Sequence, residues 1–384
     1  MVLKASRRGD VPPFMVMDVM RDAAALEAVG RRVVHLEVGQ PSTGLPRGAA
    51  AKLGPLIERE TLGYTLADGT PQLRERITAH YRQFYNVAAA PQRVFVTTGS
   101  SAAFQLAFMS AFDIGDRVAL AAPGYPAYRH ILSSLGVEPV LIPVDASTRF
   151  QVTADHLKKL SPAPAGVIVA SPSNPTGTMI PSAAFRDLVR YCHNVGIRMV
   201  SDEIYHGITF DQPGVTAADL SPSAIVINSF SKYFSMTGWR VGWMLAPDDL
   251  RRSMECLAQN HFISPPALSQ WAALHAMDCG DELAENVMVY RRNRDLLLRR
   301  LPELGFPDIA PSDGAFYAYV DISSSGQDSV SFCRRLLNEA GVATTPGVDF
   351  DPFRGDRFVR LSFAVAEQEV SLALDRLAAW INKP

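Results

Sequence analysis

Short apolar runs bounded by turn residues recur through the middle of the chain. They lie at Val94 to Thr98, Arg117 to Ala121, Glu138 to Ile142, Gly166 to Ala170, Arg198 to Ser201, Ala224 to Ile227 and Val241 to Leu245. Each has the length of a strand, and helical stretches separate them at Ala102 to Phe112, near Ala127, near Ala154 and from Pro181 to Asn194. Alternation of this kind predicts an α/β unit with a mainly parallel sheet, in which functional residues gather at the carboxyl ends of strands. Further helices are expected at Asp248 to Gln259, Pro266 to Met277 and Asp281 to Leu301, the last long enough to bridge two domains. A smaller α+β unit follows, with strands at Ala315 to Ile322 and Arg357 to Ala364 and helices at Ser329 to Ala340 and Glu367 to Ile381.

The first ninety residues are patterned differently. Pro12 and Pro13 suit a helix start and Gly30 its end, which places Phe14, Met17, Met20 and Ala24 on one apolar stripe; such a stripe is more often core than pocket. Val33 to Val38 reads as a short strand, closed by the turn Gly39-Gln40-Pro41. Leu45 to Thr70 is rich in loop residues, and Pro71 opens a helix to about Phe84. These expectations divide the chain into a large α/β domain over 45–290 and a small α+β domain made from 1–44 and 291–384.

Composition narrows the function. A net charge of -2, with 47% apolar and 20% charged residues, describes a globular protein without the basic footprint of a nucleic-acid or anionic-membrane binder. Charges or prolines interrupt every apolar run before it reaches membrane-spanning length, and no signal sequence is apparent. Cys192, Cys256, Cys279 and Cys333 are scattered without metal-ligand spacing, so no metal is expected and a reduced, cytoplasmic protein is.

Candidate chemistry concentrates after three strands: Pro172-Ser173-Asn174-Pro175-Thr176-Gly177, then Asp202-Glu203-Ile204-Tyr205, then Ser229 to Gly242. Of the lysines Lys4, Lys52, Lys158, Lys159, Lys232 and Lys383, Lys232 alone has apolar company. Desolvation favours the neutral amine, which attacks carbonyls to form a Schiff base. Ser229, Ser231 and Arg240 around it describe a phosphate cradle, with Gly238 expected to let backbone approach a ligand. The hydroxyl-rich turn Gly99-Ser100-Ser101, feeding a helix, is a second candidate anion site. Taken singly, each piece has a structural explanation: a turn, a cap, a surface ion pair.

With these residues laid out, the sequence resembles the fold type I pyridoxal-phosphate-dependent aminotransferases of class I and II, from Gly39-Gln40-Pro41 to Arg360-Leu361-Ser362. The most specific match is Ser-x-Ser-Lys-x-x-x-Met-Thr-Gly-Trp-Arg-x-Gly, ending at Gly242. The resemblance implies pyridoxal 5'-phosphate held by Lys232 as an imine, Asp202 paired with the pyridine nitrogen, and Tyr205 and Asn174 on the phenolic oxygen. It implies Arg240, Ser229 and Gly99, Ser100 and Ser101 on the phosphate, Tyr125 stacked on the ring, and Arg360 gripping the substrate carboxylate with Asn174 and the backbone at Gly39. A tyrosine matching Tyr64 would reach the phosphate from the partner subunit of a homodimer with shared sites, and the helix carrying Phe14 and Met17 would cover the entrance. The substrates implied are an amino acid and a 2-oxo acid, exchanged by a ping-pong transamination.

The same cofactor shell would also serve a carbon-sulfur β-lyase or a cyclase acting on adenosylmethionine. A regulator that only binds the cofactor normally carries a DNA-binding module, for which the stretch before Gly39 is too short. A dicarboxylic donor needs a second cation for its distal carboxylate. Ser101 stands where some relatives place a lysine, and Asn260 to Pro265 contains no arginine. Phe14, Met15, Met17 and Phe262 are instead expected at an apolar pocket mouth, suited to a neutral, bulky apolar or aromatic donor, with His261 and Arg21 as the only other cations in view.

Overall fold

The computed structural model describes residues 3–382, so Lys383 and the outermost residues of the expected domains lie outside it. Helix α1 (Met15–Ala28) and a two-residue strand β1 (Val34–His35) lead into α2 (Arg47–Arg59) and α3 (Pro71–Tyr85). Alternating elements follow: β2 (Val94–Thr97), α4 (Gly99–Ala111), β3 (Arg117–Ala122), α5 (Pro126–Leu135), β4 (Glu138–Pro143), α6 (Ala154–Lys158), β5 (Gly166–Ala170), α7 (Ser182–Val195) and β6 (Arg198–Asp202). Next come β7 (Ile225–Ser229), β8 (Gly242–Leu245), α8 (Arg251–His261), α9 (Ala267–Ala276) and the long α10 (Gly280–Glu303). The chain closes with β9 (Tyr317–Asp321), α11 (Ser329–Arg335), β10 (Val342–Ala343), β11 (Thr345–Pro346), β12 (Phe358–Ser362) and α12 (Glu367–Ile381).

Seven strands form one sheet in the order β2-β8-β7-β6-β5-β3-β4. Only β8 runs against its neighbours, pairing antiparallel with both β2 and β7, so the sheet is mixed and mainly parallel as expected. Strands β5, β6 and β7 are buried at nearly every position, which is why they read as unbroken apolar runs. A three-stranded antiparallel sheet, β11-β12-β9, and the parallel pair β1-β10 make up the rest. The β1-β10 pairing joins His35 to Ala343 and so ties the N-terminal segment to the C-terminal unit.

Two expectations fail for physical reasons. The stretch from Leu45 to Thr70 contains α2, whose Ala49, Leu53 and Leu56 are buried on one face; Gly48, Gly54 and Pro55 masked a helical pattern that packing nonetheless supports. On α1 the buried positions are Val16 and Ala23, and Ala23 packs with Val19 and Leu26 against Val33, Leu337 and Ala343. Met17 and Met20 are 56% and 37% exposed, so the methionine stripe is the helix's open face and not its core.

Candidate active site

The carboxyl ends of β5, β6 and β7 and the start of antiparallel β8 lie at one edge of the large sheet. Gly242 is paired with Thr97 on one side and Ser229 on the other, which brings the beginning of α4 and Arg240 together. A Cβ on Gly242 would sit 2.9 Å from the Ser100 amide nitrogen. At Gly99, whose φ is +72°, a Cβ would run into the Arg240 guanidinium. Only glycine permits this approach, and it sets a cation beside the first-turn amides of α4, where backbone N–H groups and the helix dipole favour an anion. Ser229 is 1% exposed and its Oγ accepts the Ser231 amide at 3.1 Å; Ser231 lines the cavity beside Lys232 and Ser229 does not. Gly238 departs from expectation: a Cβ there meets only open space, so the close approach is at Gly99.

Beside this cradle opens a cavity of about 330 Å³. Lys232 projects into it from the loop after β7, its Nζ donating to the Gly39 carbonyl at 2.6 Å. The Tyr205 and Phe316 rings lie 5.8 and 6.0 Å from that nitrogen. Burial, assisted by the positive charges of Arg360 and Arg240 and opposed by Asp202, pushes the amine down to about 8. Asp202 ends β6 at 2% exposure; its Oδ1 accepts the Ile204 amide at 3.0 Å and its Oδ2 a short hydrogen bond from the Tyr128 hydroxyl. Burial outweighs those hydrogen bonds and lifts the carboxyl to about 6.

Arg360 enters from β12, where it pairs with Thr345 of β11. Its Nη1 donates to Asn174 Oδ1 at 2.9 Å, its Nη2 to Thr345 Oγ1 at 3.2 Å and, in a short contact, to the Glu37 carbonyl. The guanidinium carbon is 4.6 and 4.7 Å from the Tyr317 and Phe350 rings. All these hydrogen bonds go to neutral oxygens, and Nε is buried with no partner among the described residues. A buried cation held this way retains its attraction for a carboxylate.

The structure therefore brings together Gly39, Ser100, Ser101, Tyr125, Asn174, Asp202, Tyr205, Lys232, Arg240 and Arg360 around one cavity. Tyr64 is elsewhere, 84% exposed in the loop between α2 and α3. Two tyrosines were missed. Tyr128 lies three residues after Tyr125, on the same face of the first turn of α5, a spacing that could have signalled it. Tyr317, whose hydroxyl is 2.7 Å from that of Tyr205, carries no local signal.

The outer wall is apolar. Phe14 and Met17 line it as expected, Val16 and Met20 join them, and Met15 and Phe262 do not. Phe14 meets Tyr125 edge to face at 5.9 Å. Neither His261 nor Arg21, which pairs with Asp18 at 2.9 Å, reaches the cavity.

The donor set fits a flat, anionic ring system bearing a carbonyl. An amide and arginine cradle stands at one end, a buried carboxylate with a tyrosine donor at the other, aromatic faces lie between, and an amine of lowered basicity occupies the middle.

A family model described as aminotransferase class I and II matches residues 31–377. The chain is similar to the valine–pyruvate aminotransferase of Mycobacterium tuberculosis, 46% identical over 382 residues and 98% of each chain. Its fold is similar to the crystal structure of an aminotransferase from Mycobacterium tuberculosis, with a TM-score of 0.97 at 46% identity over 99% of each chain. It is also similar to an aspartate aminotransferase from Thermus thermophilus with maleate, with a TM-score of 0.93 at 29% identity over 98% of this chain and 100% of the other.

Proposed function

The chain belongs to the class I and II aminotransferases, a pyridoxal-phosphate-using family, and from that premise we propose that it moves the amino group of a neutral, apolar amino acid to a 2-oxo acid at the Lys232 cavity. Bound there, pyridoxal phosphate supplies an electron sink for the negative charge that develops on the substrate α-carbon. Gly99, Ser100, Ser101, Arg240 and Ser229 would hold its phosphate, Asp202 its ring nitrogen, Tyr205 and Asn174 its phenolic oxygen, and Tyr125 its face. Lys232, its basicity lowered to about 8 by burial, would be neutral often enough near pH 8 to take the proton from the substrate α-carbon and return it. Arg360, with Asn174 oriented by its Nη1, would fix the substrate carboxylate and so set the α-carbon before Lys232.

The observation that carries the donor class is the wall of Phe14, Val16, Met17 and Met20, with no cation beyond Lys232, Arg240 and Arg360 among the described residues that line the cavity. A distal carboxylate would be buried there unpaired. The similar protein of Mycobacterium tuberculosis, named for valine and pyruvate, points the same way.

The division into a large domain over 45–290 and a small one from 1–44 and 291–384 draws support from an apolar cluster whose buried residues all lie between Phe95 and Ala258 and from a second built mainly from Val34, Leu36 and Leu297 to Trp380, to which Ile204, Tyr205, Ile208, Phe210 and Tyr290 also contribute. The exposure of Tyr64 supports a homodimer whose partner completes each site. No helix of the described residues is long and apolar enough to cross a membrane, and the four cysteines are unpaired, in keeping with a cytoplasmic setting.

Single half-reactions with alanine, valine, leucine, phenylalanine and aspartate, run on the wild type and on Lys232→Ala, test the reading. The apolar donors should exceed aspartate in kcat/KM by at least about tenfold, roughly 1.4 kcal/mol of transition-state binding, and Lys232→Ala should abolish turnover of all. A tenfold preference for aspartate, or wild-type turnover in the variant, would overturn it.

A further inference from the structure

Helix α1 has no capping side chain of its own: Phe14 stands at the N-cap without a side-chain hydrogen bond. The cap comes from 334 residues away, where Asp349 Oδ1 accepts the Met15 amide at 3.3 Å. Asp349 is 3% exposed, and its Oδ2 is buried without a partner among the described residues. It lies on the turn after β11, next to Phe350, whose ring packs on Arg360. Arg129 of α5 secures that turn by donating to the Asp349 carbonyl at 2.7 Å. A carboxylate at a helix N-terminus is favourable, but burying one with half its acceptor capacity unused is costly unless it fixes something.

What it fixes is the substrate wall. The α1 face opposite Met17 and Met20 packs on the C-terminal unit through Val19, Ala23 and Leu26. At the N-terminal end Phe14 meets Tyr125 and Met17 opens to the cavity, so the Asp349 hydrogen bond to the Met15 amide holds the part of the helix nearest the site. We propose that Asp349, which does not itself line the cavity, is a positioning residue for donor specificity: it docks the first turn of α1 and thereby sets the apolar surface that receives the donor side chain. The proposal rests on the reading of this cavity as the amino-donor site.

It predicts a split by donor size. Alanine, whose methyl group is too short to need the wall, should be little affected by loosening α1; leucine or phenylalanine should be. Asp349→Ala should raise KM for leucine and phenylalanine about fivefold, the shift in docked population that losing one helix cap brings, with kcat at saturation and the KM of alanine within about twofold of wild type. Asp349→Asn, whose amide oxygen can still accept the Met15 amide, should restore most of the loss. Hydrogen exchange on the same proteins supplies a readout free of turnover: amides at the start of α1 should exchange faster in Asp349→Ala and near wild-type rates in Asp349→Asn, with α12 unchanged in both. Equal rises in KM for alanine and leucine, or unchanged exchange in α1, would overturn the docking role. A wild type that does not favour apolar donors would instead overturn the donor assignment, and the exchange result would still decide the docking.

Discussion

The hydroxyls of Tyr317 and Tyr205 face each other at 2.7 Å, both buried, from segments 112 residues apart. If Tyr205 donates toward the cofactor's phenolic oxygen, its own oxygen must accept, and Tyr317 is placed to donate to it. Tyr317 also lends its ring to Arg360 and fills the space that a side chain at Gly39 would need. One residue therefore touches both Tyr205, proposed to face the cofactor, and Arg360, proposed to face the substrate.

These two duties are separable. Tyr317→Phe keeps the ring and removes the hydroxyl, so cofactor retention should weaken by about 1 kcal/mol while donor KM stays within about twofold. Tyr317→Leu removes the ring as well and should raise donor KM by up to about tenfold through the lost cation–π contact. Equilibrium dialysis of the cofactor and steady-state kinetics check the pair; equal effects of both variants on KM would show that the hydroxyl, not the ring, supports Arg360.

The proposed shared site makes a complementation prediction. Tyr64→Ala and Lys232→Ala should each be impaired alone. If Tyr64 serves the opposite subunit, a mixed dimer has one site with an intact Lys232 and an intact Tyr64 from its neighbour. Activity per Lys232-bearing subunit should then rise toward wild type after subunit exchange, whereas a mixture that never exceeds Tyr64→Ala alone would assign the tyrosine to its own chain or to no site.

How much of this was legible follows from distance along the chain. Lys232 and Arg240 fall within one motif, Asp202 ends one strand and Asn174 follows another, and the apolar runs of those strands are plain, so the gathering of these residues at one sheet edge was legible while their roles came only from the family resemblance. Contacts made across the fold were not. The Tyr128 to Asp202 bond spans 74 residues and the Asp349 to Met15 bond 334, and no local rule links such positions. Helix α1 shows another limit: Val19, Ala23 and Leu26 form one apolar face and Val16, Met17 and Met20 another, and periodicity alone does not say which one meets the core. The register that presses Arg240 against Gly99 likewise depends on β8 running antiparallel, an orientation that its four apolar residues do not encode.

At its other end α1 is held by charge. His35 Nδ1 lies 2.8 Å from Glu37 Oε1, and its Nε2 3.1 Å from Glu27 Oε1 in the last turn of the helix. The hydrogen bond to Glu37, with Glu27 adding to it, outweighs burial and raises the imidazole to about 9. A histidine whose basicity is higher folded than unfolded stabilises the fold in full below its unfolded value, near 6.5, and that contribution is lost as pH climbs through about 9. His35→Gln can hydrogen-bond but cannot carry the charge, and all other titrating groups are common to both proteins, so the difference between them isolates this one. The melting temperature of the wild type should exceed that of the variant most at pH 6, and the gap should narrow steadily as pH rises from the unfolded value near 6.5 and be nearly closed just above the folded value of about 9. Because His35 and Glu27 are each nearly half exposed, 0.5 M salt should narrow the gap too, though less than deprotonation does, since Glu37 is shielded from solvent. A gap that is constant with pH would mean that His35 is neutral in the folded protein and that α1 is held at this end by packing alone.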